Sequence, residues 1–147
     1  MNRSLASLVA GLIVSFAVLG CGGPEREIRA RLSPAEVDLF NRGQRLSTPC
    51  WNCHDLYGEQ NKVGPYLAGL YRRKAGSANF PGYSEAMKRS EVVWDERSLR
   101  AFLLNASSFI PGTTMVASGP RSSADVGALV FYLKHVTQAV GSAADSR

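Results

Sequence analysis

The sequence predicts an all-α domain threaded with long ordered loops. Three observations lead there. Apolar residues recur at helical spacing in three segments, no segment of useful length alternates with period two, and capping residues stand in front of the periodic segments. The chain has 147 residues, enough for one ordinary domain.

The first helix is signalled by "SPAE". Ser33 is placed as N-cap, Pro34 at the first helical position, and Glu36 three residues after the cap, which makes a capping box. Val37, Phe40 and Leu46 follow at near-helical spacing, and the helix is expected to stop before Pro49. From Asp55 to Gly82 the chain is rich in Gly, Pro, Asn and Tyr without a sustained period, so it reads as ordered loop. "SEAMKRS" suits one or two helical turns. "DERSLRAFLLNA" puts Leu99, Phe102, Leu103 and Ala106 on one face of a second clear helix. After the loop "SSFIPGTTMVASGPRS", the last helix starts at a cap on Ser122 or Ser123 and carries Val126, Leu129, Val130, Leu133 and Val136. Loops this long in a small domain usually wrap a ligand or serve a function.

The first twenty residues stand apart. A basic start with Arg3 precedes an apolar run from Leu5 to Leu19, roughly 15 residues, which suits a signal-peptide core and is short for a membrane-spanning helix. Residues 1–20 are expected to be removed on export. The run ends in Val18-Leu19-Gly20-Cys21, which resembles the lipobox of bacterial lipoproteins, where cleavage just before the cysteine leaves it to be acylated. An uncleaved anchor and a plain signal peptide are the competing readings. Cys50 and Cys53 have each other, so Cys21 would otherwise be an unpaired thiol in an exported protein. The Gly/Pro-led, charged stretch 21–32 is read as a tether, with the folded domain spanning 33–147. Export, the periplasmic side and anchorage to the cytoplasmic membrane through Cys21 are the expected location.

Without residues 1–20 the chain holds 16 Lys/Arg and 12 Asp/Glu, a formal +4. A modest basic bias favours acidic protein patches or anionic lipid. Nucleic acid is excluded as a partner, because the longest basic run is Arg72-Arg73-Lys74.

"CWNCH" gathers Cys50, Cys53 and His54 within five residues. A structural zinc site needs about four ligands. The only other histidine, His135, lies 81 positions later with no ligand beside it. A redox dithiol normally opens a helix after a strand, and no strand precedes Cys50. Cys-x-x-Cys-His is the covalent haem attachment signature: two thiols add to the haem vinyls, and the adjacent histidine is held under the ring, where its imidazole can ligate iron. The sixth iron ligand has three candidates, Met115, Met87 and His135.

Taken in order, "CWNCH", "VGPYLAGLYRRKAG", "GYSEAMKRSEVVW", "FIPGTTM" and "LVFYLKHV" resemble the class I cytochromes c of the mitochondrial and bacterial high-potential type, over essentially all of Ser33 to Thr137. The resemblance implies the cytochrome c fold, with first and last helices crossing and loops wrapped around one covalent haem c and its iron. It implies thioethers at Cys50 and Cys53, and iron ligation by His54 and Met115. It gives the Pro65 carbonyl as acceptor for the other His54 N–H, and Arg73, Tyr83 and Trp94 as partners of the haem propionates. It also implies that Leu129, Tyr132 and Leu133 pack the last helix on the first, with Gly43 at the crossing. His/Met ligation raises the potential and closes the iron to substrates. The expected function is one-electron transfer between redox partner proteins in a respiratory or photosynthetic chain, without enzymatic activity. The alternatives are a haem subunit of a larger dehydrogenase or oxidase, and a peroxidase-type enzyme with a labile sixth ligand. Three departures stand out. Phe102 replaces a tyrosine that bonds the ligand sulfur in close relatives, Thr114 replaces a lysine, and the first helix reaches Cys50 in one residue fewer.

Overall fold

A computed structural model describes residues 23–116 and 119–144. The signal segment 1–20 and Cys21 lie outside the described residues. Among the described residues six α-helices follow in order: α1 Pro24–Ala30, α2 Pro34–Leu46, α3 Glu85–Arg89, α4 Glu96–Leu104, α5 Ala106–Phe109 and α6 Ser123–Ala144, with a 3₁₀ turn at Thr48–Asn52. Among the described residues the β pairing is confined to an isolated bridge between Lys74 and Val93.

The capping signals act as their chemistry requires. Ser33 accepts from the Glu36 N–H, while the Glu36 carboxylate accepts from the Ser33 N–H, closing the capping box. Asp95 and Ser98 form a second box at α4. Ser122 caps α6, its hydroxyl accepting from the Asp125 N–H at 3.0 Å. After Leu46 the chain tightens into the 3₁₀ turn that holds Pro49, consistent with a residue that cannot donate to a helical ladder.

The core is the crossing of α2 and α6, with α4 packed against α6. Phe40, Val126, Leu129, Val130, Tyr132 and Val136 are fully buried there. Phe40 meets the Tyr132 ring edge-on at 5.0 Å. Gly43 sits at the crossing, where a Cβ would run into the Ala128 carbonyl and the Tyr132 Cβ. The absence of a side chain lets two backbones touch.

The tether reading of 21–32 is corrected for residues 24–30. They form α1, which packs on α6 and buries Ile28. The Glu25 carboxylate accepts from the hydroxyls of Tyr57 at 2.6 Å and Tyr132 at 2.7 Å, and from Gln44 Nε2 at 2.6 Å. Arg29 donates to Asn41 and Gln44 and lies 4.9 Å from the Phe40 ring centroid. Glycine, proline and charge suggest a linker only while their hydrogen-bond partners, 12 to 107 residues away, are unseen. Among the described residues the folded unit therefore includes Pro24–Ala30 and does not start at Ser33. The short α5, capped by Asn105, was not foreseen either.

Candidate functional site

The chain from Cys50 to His54 curls so that one turn presents three reactive side chains. The N–H groups of Cys53 and His54 both donate to the Cys50 carbonyl, at 3.2 and 2.9 Å. Cys50, Cys53 and His54 all line one cleft of about 450 Å³, a volume suited to a large flat cofactor. Burial pushes the Cys50 thiol above its ordinary value, so it is held as a neutral thiol. The two cysteines are not joined to each other.

His54 Nδ1 lies 2.6 Å from the Pro65 carbonyl oxygen. A carbonyl can only accept, so Nδ1 carries the proton and Nε2 keeps its lone pair. Burial lowers the His54 pKa, the Pro65 carbonyl opposes that, and Lys62 adds to the lowering; the net direction is towards neutral imidazole. Gly64 lies against the ring so closely that a Cβ there would collide with it.

The loop that carries His54 is tied at its neck by main chain. Gly64 N–H donates to the Cys53 carbonyl at 2.8 Å and Leu67 N–H to the Asp55 carbonyl at 2.7 Å. The Asp55 carboxylate accepts from the N–H groups of Tyr57, Gly58 and Gln60. Burial works to raise its pKa, but those three donors and Lys62 outweigh it and hold the group below its ordinary value. The sequence reading missed Asp55. The signal available was an aspartate three residues before a glycine in a loop, the mark of a side chain that caps its own turn.

The rest of the cleft wall is mostly apolar: Leu67, Leu70, Leu99, Phe102, Leu129 and Leu133 take part. Met115 also lines it, its N–H resting on the Thr113 hydroxyl at 3.3 Å. Of the competing candidates, Met87 lines the cleft and is buried in α3. His135 is not among the lining residues. Its Nδ1 pairs with the Phe131 carbonyl at 2.8 Å and its ring stacks 4.3 Å from Phe131.

Arg73, Tyr83 and Trp94 also line the cleft. Arg73 donates to the carbonyls of Ala68 and Tyr66 at 2.8 and 2.9 Å. Burial lowers its pKa, countered by Tyr83 and Tyr66. Burial likewise raises the Tyr83 hydroxyl, with Arg73 opposing. Trp94 is held by reciprocal backbone bonds, its carbonyl accepting from Arg72 N–H at 2.7 Å and its N–H donating to Arg73 at 2.9 Å. Its ring stacks 5.0 Å from Phe102. A guanidinium, a phenol and an indole on the wall of an otherwise apolar cleft are donors suited to an anionic substituent.

The residues present thus fit a haem: two thiols and an imidazole on one turn, a thioether on the same cleft, and a mostly apolar wall that includes a guanidinium, a phenol and an indole. Zinc does not fit. Among the described residues, no three of His, Cys, Asp or Glu converge on a point a metal ion could occupy.

Residues 40–137 match the family model "Cytochrome c". Cytochrome c2 of Blastochloris viridis is 33% identical over 108 residues, covering 73% of this chain and 85% of that protein. Cytochrome c of Theileria annulata is 39% identical over 103 residues, covering 69% of this chain and 89% of that protein. Among solved structures, cytochrome cH from Methylobacterium extorquens superposes with a TM-score of 0.59 at 36% identity, covering 64% of this chain and 95% of that one. With the family match running from Phe40 in α2 to Thr137 in α6, across the helix crossing and the cleft, the chain belongs to the class I cytochromes c and is a haem-based electron carrier with one covalent haem c.

Proposed function

We propose that this carrier holds its haem through thioethers at Cys50 and Cys53 and its iron through His54 Nε2 and Met115 Sδ, and that it works by electron transfer rather than catalysis. The observation that carries the assignment is the 2.6 Å contact between His54 Nδ1 and the Pro65 carbonyl. It fixes the tautomer, orients the ring and makes Nε2 the better donor.

When bound, the haem supplies a one-electron iron couple. The chain's residues set its terms. The Met115 thioether, a soft donor, favours the ferrous state and so a high potential. The apolar wall from Leu67 to Leu133 keeps water out, and the positions of Arg73, Tyr83 and Trp94 suit the two propionates. The exposed rim beside the cleft at Val116, just after Met115, is where a partner protein can approach.

Residues 1–20 direct export, and Cys21 carries the lipid that holds the domain on the periplasmic side of the cytoplasmic membrane. The apolar run Leu5–Leu19 and the lipobox resemblance support this reading. Among the described residues no helix is long and apolar enough to cross a membrane. The membrane-held carrier meets membrane redox complexes at raised effective concentration.

A redox titration of the purified holoprotein, with spectra in both states, tests the ligand set. Low-spin spectra and a positive midpoint are expected. High-spin ferric spectra at neutral pH, or a midpoint well below zero, would overturn it. Mass spectrometry of the mature N-terminus tests the anchor, and an unmodified Cys21 refutes it.

A further inference from the structure

The tether expected after Cys21 is only two residues long, Gly22 and Gly23, before α1 begins at Pro24. Fully extended, the three steps from Cys21 to Pro24 reach about 10 Å. Glu25, the second residue of α1, is fastened to the domain by three side chains outside its own helix, Tyr57, Tyr132 and Gln44. An anchor on so short a leash, joined to a helix so fastened, leaves the domain little freedom to turn.

The surface next to that point is unusual in its chemistry. Tyr57, whose hydroxyl meets Glu25, is 37% exposed, and Trp51 is 40% exposed with its ring 5.7 Å from that of Tyr57. Trp51 is held in place, its indole N–H donating to the Ser47 hydroxyl at 3.2 Å. Lys62 donates to the Trp51 carbonyl at 2.7 Å, and the next residue, Val63, is 79% exposed. Tryptophan and tyrosine are enriched at membrane–water interfaces, and lysine snorkels beside them. Here the indole N–H and the phenol are satisfied by Ser47 and Glu25, so the patch offers the two ring faces and the Val63 side chain to an apolar surface.

We propose that Trp51, Tyr57, Lys62 and Val63 form a bilayer-contacting patch that sets the domain on the lipid surface in one orientation, with α1 as the rigid joint. This rests on the acylation of Cys21 proposed above. The occupant is the lipid surface and not a partner protein, because the patch adjoins the end of the chain that enters the membrane. The consequence is directional. The CWNCH side of the molecule faces the bilayer, and the Met115 loop with exposed Thr114 and Val116 is left to soluble or protruding partners.

Lysine footprinting tests the patch on the full lipidated holoprotein in vesicles of phosphatidylethanolamine and phosphatidylglycerol. The comparator is a Cys21→Ser holoprotein exported behind a plain cleavable signal. Acetylation of Lys62 should be several-fold slower on vesicles, while Lys74 and Lys88 react equally in both states. In a lipidated Glu25→Ala variant, Lys62 protection should fall towards the soluble level. A protein that stays on the vesicles with Lys62 unprotected overturns the patch and leaves the anchor standing. A protein that washes off removes the anchor and the patch together. Protection that persists in Glu25→Ala overturns the part given to α1.

Discussion

The Glu25 carboxylate and the Tyr132 hydroxyl are separated by 107 residues of chain and by 2.7 Å in the fold. The same carboxylate oxygen accepts from Tyr57, and the two tyrosine hydroxyls lie 2.9 Å apart. Replacing Glu25 by Ala leaves both phenols without their charged acceptor. A loss of about 2 kcal/mol is expected, read as a lower denaturation midpoint of the holoprotein at unchanged slope.

The same group carries a pH dependence. Burial acts to raise the Glu25 pKa, but Tyr57, Tyr132 and Arg29 together bring it below its ordinary value of 4.5. A carboxyl depressed in the folded state binds protons more weakly there than in the unfolded chain. Its contribution is therefore complete above pH 4.5 and is lost as pH falls through the depressed value. Tyr57 is the mirror case. Burial and Glu25 push its pKa up to about 12, so its contribution is present below its ordinary value of 10 and is lost as pH rises through about 12. Glu25→Gln should flatten the acid limb of a stability-versus-pH curve and leave the neutral plateau lower.

Gly43→Ala tests the helix crossing. The added methyl meets the backbone carbonyl of Ala128 and the Cβ of Tyr132, neither of which can swing aside. A loss of about 3 kcal/mol is expected, at the upper end for overpacking. Guanidinium denaturation of the holoprotein measures it. A loss of a few tenths would mean the helices separate at little cost.

Met115→Ala should convert the ferric spectrum to high-spin or misligated. Met87 is the other methionine lining the cleft, while His135 is committed to Phe131. An unchanged spectrum in Met115→Ala that is lost in Met87→Ala would transfer the ligand role to Met87.

Phe102→Tyr asks what the missing hydroxyl costs. Phe102 is buried, lines the cleft and packs between Trp94 and Phe109. A phenol there should donate to the ligand sulfur and strengthen its hold by about 1 kcal/mol. Imidazole titration of the ferric protein should then show about fivefold weaker displacement. No change would mean the ring, and not its hydroxyl, is what this position supplies.

The elements readable from sequence were those whose cause is local. The capping box at Ser33 and the apolar faces of α4 and α6 need nothing beyond their own segments, and the buried residues on those faces match the periodic ones. Pro65 and His54 meet as the resemblance implied. What escaped depends on distant chain. α1 has too few apolar residues to show a period, and its place is decided by Tyr132, Tyr57 and Gln44. Asp55 escaped because its partners are backbone N–H groups, which every sequence possesses.

That dependence on main chain has an evolutionary side. The excursion from Leu56 to Tyr66 is closed at its neck by backbone bonds and by a single carboxylate, while Glu59, Gln60 and Val63 point outward. The chemistry holding His54 is thus nearly indifferent to what those outward positions spell. Selection can rewrite this face for a new environment, one residue at a time, without each change being felt at the iron. In this small protein the part that must stay constant and the part free to diverge are separated by the width of one loop tied at its neck.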